Sequence, residues 1–181
     1  MVNSSRQTLT WWDVRALRSV NLEDIDSPDF VALDKDEQVV LIAEVKGFPF
    51  KINQLKDKEY AILRLIDYLQ AAKAVIRFAM LVNVENILVF RWDGNKLSEP
   101  VLCLNTAGVL SHYDAEFSKK QIYSLYLTAL IEAWIRDLAY HWKWEIPPAS
   151  KEVTQIGLLQ MLEDGTTHYF SLYSLPCTLT S

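Results

Sequence analysis

The sequence predicts a mixed α/β domain whose central sheet is covered by helices on both faces. One observation is a hairpin that is apolar on both sides. Phe30 to Leu33 and Val39 to Val45 are nearly unbroken apolar runs around a polar turn, and a sheet apolar on both faces needs cover on both. Another is the order of patterns along the chain: helix, hairpin, helix, buried strand, hairpin, long helix. The third is size. The chain has 181 residues, half of them hydrophobic, enough to bury one proper core, so a single domain over 1–181 is expected.

The elements follow in order. Thr10 can cap a first helix over 11–20, with Asp13 in its first turn. Residues 21–27 are acidic and polar and read as a connector or a short irregular strand. The hairpin runs from Pro28 to Lys46 with its turn centred on Asp36-Glu37, and Gly47-Phe48-Pro49 ends it. Period-two alternation assigns Val31, Leu33, Val40 and Ile42 to one face and Phe30, Ala32, Leu41, Ala43 and Val45 to the other. A helix over 55–73 shows Tyr60, Leu63, Ile66, Tyr68 and Leu69 at helical spacing. Strands are expected over 75–82, 86–92 and 100–104, the second closed by the turn signal Asp93-Gly94. Ser118 reads as the N-cap of a long helix over 119–143, whose broad apolar stripe includes Ile122, Leu130, Trp134 and Leu138. Pro147-Pro148 marks its end. The tail holds an apolar run over 156–162, a turn at Asp164-Gly165 and a weak strand near 168–172.

Composition removes several classes of function. A net charge of -5 argues against a protein that coats nucleic acid by charge alone. It leaves room for a local basic cleft: Lys46, Lys51, Lys56, Lys58, Arg64, Lys73 and Arg77 outnumber Asp57, Glu59 and Asp67 between them. Cys103 and Cys177 form no metal-ligand spacing and no disulfide framework. There is no Gly-x-Ser-x-Gly elbow and no glycine loop for phosphate. The first residues lack an apolar signal core, and the apolar stretches are too short or too charged to span a bilayer. A cytoplasmic protein with no membrane partner is therefore expected.

The chemistry gathers at one end of the hairpin. With the turn at Asp36-Glu37, Asp29 lies opposite Glu44, and Lys46 shares the face of Glu44. Two carboxylates on adjacent strands can hold a hard divalent cation, and oxygen ligands without Cys or His favour Mg²⁺ or Mn²⁺. An adjacent lysine can neutralise charge at phosphorus and orient the attacking water. Asp34 is the rival ligand. It sits by the turn, about 16 Å from the Glu44 end at roughly 3.3 Å per residue, and points to the other face.

Pro28-Asp29 and Glu44-Val45-Lys46, on consecutive antiparallel strands, resemble the signature of the PD-(D/E)XK nuclease superfamily. The helix and buried strand that follow match the order of its core, and the resemblance covers about residues 10–92. It implies a restriction-endonuclease-like central mixed sheet flanked by helices, in a small bacterial single-domain form, with 93–181 as a hairpin plus long-helix extension. It further implies a divalent-metal-dependent DNA endonuclease with Asp29, Glu44 and Lys46 as catalytic residues, and Asp29, Glu44 and the Val45 carbonyl as metal ligands. Some members carry Gln-x-x-x-Tyr in the helix after the motif. The counterpart here is Arg64 to Tyr68, with Arg in place of Gln. Arg64 and Lys51 are the expected substrate contacts and DNA the expected partner.

Other readings stand beside this one, among them a metal-binding hydrolase acting on a substrate other than nucleic acid. Lys46 paired with Asp29 or Glu44 can simply close a structural hairpin, leaving an inactive nuclease-like fold that serves as a binding or scaffold protein. The stripe of the 119–143 helix can join two subunits, although burial within its own chain explains it equally well. The run Tyr140-His141-Trp142-Lys143-Trp144 can stack bases, but a helix end packed on the core is the plainer reading.

Overall fold

The computed structural model describes residues 27–50, 55–72 and 74–169. The expected helix over 11–20, nearly all of the 21–27 connector, Lys51 and Cys177 lie outside them. Among the described residues six strands form one mixed sheet: β1 (Phe30–Leu33), β2 (Val39–Lys46), β3 (Phe78–Asn83), β4 (Asn86–Arg91), β5 (Leu102–Asn105) and β6 (Thr166–Tyr169), in the order β5-β4-β3-β2-β1-β6. The β2–β3 pair is parallel and every other pair is antiparallel. The parallel pair requires a crossover, supplied by α1 (Leu55–Ala71).

The sheet is covered on both faces, as its two apolar faces require. On one, Ala61, Leu65, Tyr68 and Leu69 of α1 pack on Val31, Ile42, Ala79, Leu81 and Leu88. On the other lie α2 (Thr106–Leu110), a 3₁₀ turn (Phe117–Lys119), α3 (Ser124–Tyr140), α4 (Ser150–Gln155) and α5 (Leu159–Leu162). There Leu127, Ile131, Trp134, Ile135 and Leu138 of α3 bury against Phe30, Leu41, Ala43, Met80 and Val82. The apolar stripe of the expected long helix is thus used inside its own chain. No helix among the described residues is long and apolar enough to cross a membrane.

The hairpin keeps the expected register, Phe30 opposite Ala43 and Val31 opposite Ile42, up to a bulge-type shift between Ala32 and Leu33. The shift sets Leu33 against Val39 and turns Val40 to the same face as Leu41. Val40 therefore belongs to the α3 side, and Val39 takes the α1-side place expected for it. An extra residue in one strand inverts the alternation from that point on.

The long helix differs at both ends from the expected 119–143. Ser118 lies within the 3₁₀ turn, and α3 begins at Ser124. Long-range pairing holds the intervening chain extended: the Phe48 N–H donates to the Ile122 carbonyl at 2.7 Å, and Phe48 bridges Tyr123. This approach requires Gly47, because a Cβ there would sit 2.3 Å from the Ser124 nitrogen. At the other end His141 adopts a left-handed conformation and stops the helix. The fully buried Asp137 then draws the chain back, accepting hydrogen bonds from the Lys143 and Trp144 N–H groups and from the Tyr113 hydroxyl.

Smaller differences have local causes. Helix α1 ends at Ala71, and β3 begins only at Phe78. Asn105, whose side chain accepts from the Gly108 N–H at 2.7 Å, caps the unexpected helix α2. The tail run folds as α4 and α5, and β6 starts at Thr166, where it pairs with β1. The C-terminal half thus supplies both outer strands among the described residues, β5 and β6.

Candidate active site

Strand register brings the charged groups together. The Asp29 N–H donates to the Ala43 carbonyl at 2.9 Å, and the register of the next residues puts Asp29 opposite Glu44. The Asp29 carboxylate crosses to β2, where Oδ2 accepts the Val45 N–H at 2.6 Å. Glu44 shares the α1-side face with Ile42 and is 1% exposed. Lys46, two residues on, lays Nζ 2.6 Å from Glu44 Oε2 and 3.8 Å from Asp29 Oδ2. The three catalytic residues expected from the sequence therefore converge. Their exposure is graded: the Glu44 side chain is 2% exposed, that of Lys46 26% and that of Asp29 37%. The cluster is closed at its base and open on its Asp29 and Lys46 side.

The partner that the sequence did not reveal is on α1. Arg64 Nε donates to Glu44 Oε1 at 3.0 Å, and its guanidinium also bonds the Tyr68 hydroxyl and lies 5.1 Å from that ring's centre. Tyr60, Arg64 and Tyr68 recur at intervals of four, so they form one stripe beside the buried Ala61 and Leu65. That spacing was visible in the sequence, but its target on β2 was not. Each oxygen of the buried Glu44 thus has a cationic partner, as burial of a carboxylate demands.

Burial and the adjacent Glu44 charge push the Asp29 carboxyl up from 3.8 to about 7, against the opposing pull of Lys46 and the Val45 N–H. Burial works against the charged form of Arg64, but its hydrogen bond to Glu44 and the Glu44 charge outweigh that and raise it. Two acids crowded enough to hold a proton near neutrality form a place where further positive charge is stabilised. The donors there are carboxylate oxygens, which suits a hard cation. Asp29 and Glu44 are nonetheless only a pair. Among the described residues no group of three or more His, Cys, Asp or Glu side chains is placed to hold a metal ion.

Asp34 is fully explained by the turn, where Oδ1 accepts the N–H groups of Asp36 and Gln38 at 2.9 Å each. A cavity of about 650 Å³ lies elsewhere, lined by Arg77, Phe78, Arg91, Trp92 and Asp93. It sits at the Phe78 end of β3, whereas Lys46 pairs with Asn83 at the other end. The one carboxylate among its described lining residues, Asp93, accepts the N–H groups of Asn95 and Lys96. Reactive groups therefore meet at the Asp29 end and not in this cavity. No protein-family model, no curated protein and no solved structure matches the chain.

Proposed function

We propose that this protein is a divalent-metal-dependent phosphodiesterase of the PD-(D/E)XK type, acting on DNA from a restriction-endonuclease-like fold. The observation that supports it most is the position of Lys46, whose ammonium stands 2.6 Å from Glu44 and 3.8 Å from Asp29 at the end of β2. Asp29 and Glu44, with the Val45 carbonyl, would hold Mg²⁺ or Mn²⁺. Such an ion, when bound, polarises a phosphoryl oxygen and lowers the pKa of its water. Lys46 supplies positive charge where a phosphate gains negative charge, and one of its N–H groups can orient the attacking water. Arg64 keeps the buried Glu44 charge compensated, so that Glu44 is held in a single position.

One observation favours the inactive, scaffold reading: Lys46 and Arg64 already engage both oxygens of Glu44. Nicking of supercoiled plasmid separates the two. On the nuclease reading, Mg²⁺ or Mn²⁺ supports nicking, EDTA stops it, and Asp29→Ala, Glu44→Ala and Lys46→Ala each abolish it. Mn²⁺ also raises the melting temperature of the parent protein, an effect that Asp29→Ala removes. A protein that neither nicks nor responds to metal is the scaffold.

A further inference from the structure

An exposed ring pair adjoins the charged end of β2. Phe48 follows Lys46 by two residues and is 43% exposed, and Tyr123 is 56% exposed. The two meet edge to face with centres 5.8 Å apart. Their backbones are held firmly. The Gly47 N–H donates to Ser124 Oγ at 2.9 Å, and the Phe48 N–H donates to Ile122 at 2.7 Å. Helix α1 joins two parallel strands, so it runs against both and its first turns lie at the Lys46 end. Those turns carry Lys56, Lys58 and Tyr60, the last 60% exposed and hydrogen-bonded to Arg64.

Among the described residues, the two cations beside the carboxylates are already committed. Lys46 and Arg64 are both engaged with Glu44, and the chain carries -5 overall. Duplex affinity by phosphate contact grows with the number of phosphates that Lys and Arg neutralise. The rings offer a different source of affinity. A flat ring stacks on any base whose face is open, and it does so without sequence preference. Inside a duplex each base face is already covered by its neighbour, so exposed rings find partners only where bases are unpaired.

We infer that this site, on the nuclease reading above, takes DNA with unpaired bases, held by stacking on Phe48 and Tyr123 with Tyr60 nearby. Lys56 and Lys58 meet the phosphates of that strand. The single-stranded arm of a branched duplex satisfies this chemistry as well as a free strand, whereas a blunt duplex does not.

The test is fluorescence anisotropy with a short labelled single strand, a blunt duplex of the same sequence and a duplex bearing a single-stranded arm. Binding is measured in EDTA, and cleavage of the same probes in Mn²⁺. The variants are Phe48→Ala, Tyr123→Ala, the double variant, Phe48→Leu and Phe48→Trp. The unpaired probes bind at least about tenfold tighter than the duplex. Each alanine weakens them about tenfold, as does Phe48→Leu, the double variant weakens them about 100-fold, and Phe48→Trp retains binding. Melting temperatures fall only slightly, because each ring is about half exposed and loses chiefly its contact with the other. Equal affinity for duplex, or a double variant that binds like the parent, overturns the inference. So does a dimer, seen by light scattering, that the double variant dissociates, because the rings then serve a protein interface. Ring-dependent strand binding without cleavage defeats the nuclease reading alone. Plasmid nicking unaffected by the ring variants defeats this inference alone.

Discussion

Arg64→Ala tests whether Arg64 exists to compensate Glu44 or to meet substrate. Glu44 has a side chain only 2% exposed and two cationic partners, Arg64 at 3.0 Å and Lys46 at 2.6 Å. Removing one partner of a fully buried ion pair costs about 3–5 kcal/mol. Here Lys46 remains and Arg64 is itself 30% exposed, which reduces the loss to about 2 kcal/mol. The lost contact with the Tyr68 ring adds about 0.5 kcal/mol. At this chain length a loss of 2–3 kcal/mol lowers the melting temperature by roughly 5–10 °C. Equilibrium urea unfolding, followed through the chain's six tryptophans, measures it. The decisive comparison is the same change in a Glu44→Gln background, where no buried charge is stranded. There the cost falls to about 1 kcal/mol, a coupling of 1–2 kcal/mol between the two positions. Equal losses in both backgrounds, or a loss below about 0.5 kcal/mol, refute the reasoning and return Arg64 to the substrate.

Asp29 makes the metal-free protein sensitive to pH. Its folded pKa of about 7 lies above the ordinary 3.8, so its contribution to stability is complete below about pH 4 and is lost as pH rises through about 7. The ceiling is about 4 kcal/mol, and with the side chain 37% exposed solvent screening leaves about 1–2 kcal/mol. The melting temperature in EDTA therefore falls between about pH 5 and pH 8.5, and Asp29→Asn flattens the slope; a rise attributable to Asp29 contradicts this. Gly47→Ala forces a Cβ to 2.3 Å from the Ser124 backbone and destabilises the fold by about 2–3 kcal/mol in chemical denaturation, whereas full tolerance means the Gly47–Ser124 contact is not tight. Asp137→Ala strands the Tyr113 hydroxyl and the N–H groups of Lys143 and Trp144. It costs about 3 kcal/mol, and an unchanged denaturation midpoint argues against that role.

The sequence by itself determined what local chemistry determines. A polar turn centred on Asp36-Glu37 set Asp29 against Glu44, because the turn of a hairpin decides which residues face each other, and period-two alternation put Lys46 on the face of Glu44. Helical spacing identified α1 and most of α3, and apolar residues on both faces of the hairpin required cover on both sides. Tertiary structure decided whatever depends on residues far apart in the chain. Val40 changed face at a bulge that no local signal marks. Ser118 looks like a helix cap, but pairing of Ile122 and Tyr123 with Phe48 delays α3 to Ser124. Arg64, which the sequence offers as a substrate contact, becomes the second partner of Glu44 once α1 is laid across β2. Periodicity and turn chemistry are properties of neighbouring residues, so they are written in the chain. Charge compensation at a buried carboxylate and the partner of an extended segment arise between elements, and only packing brings those elements together.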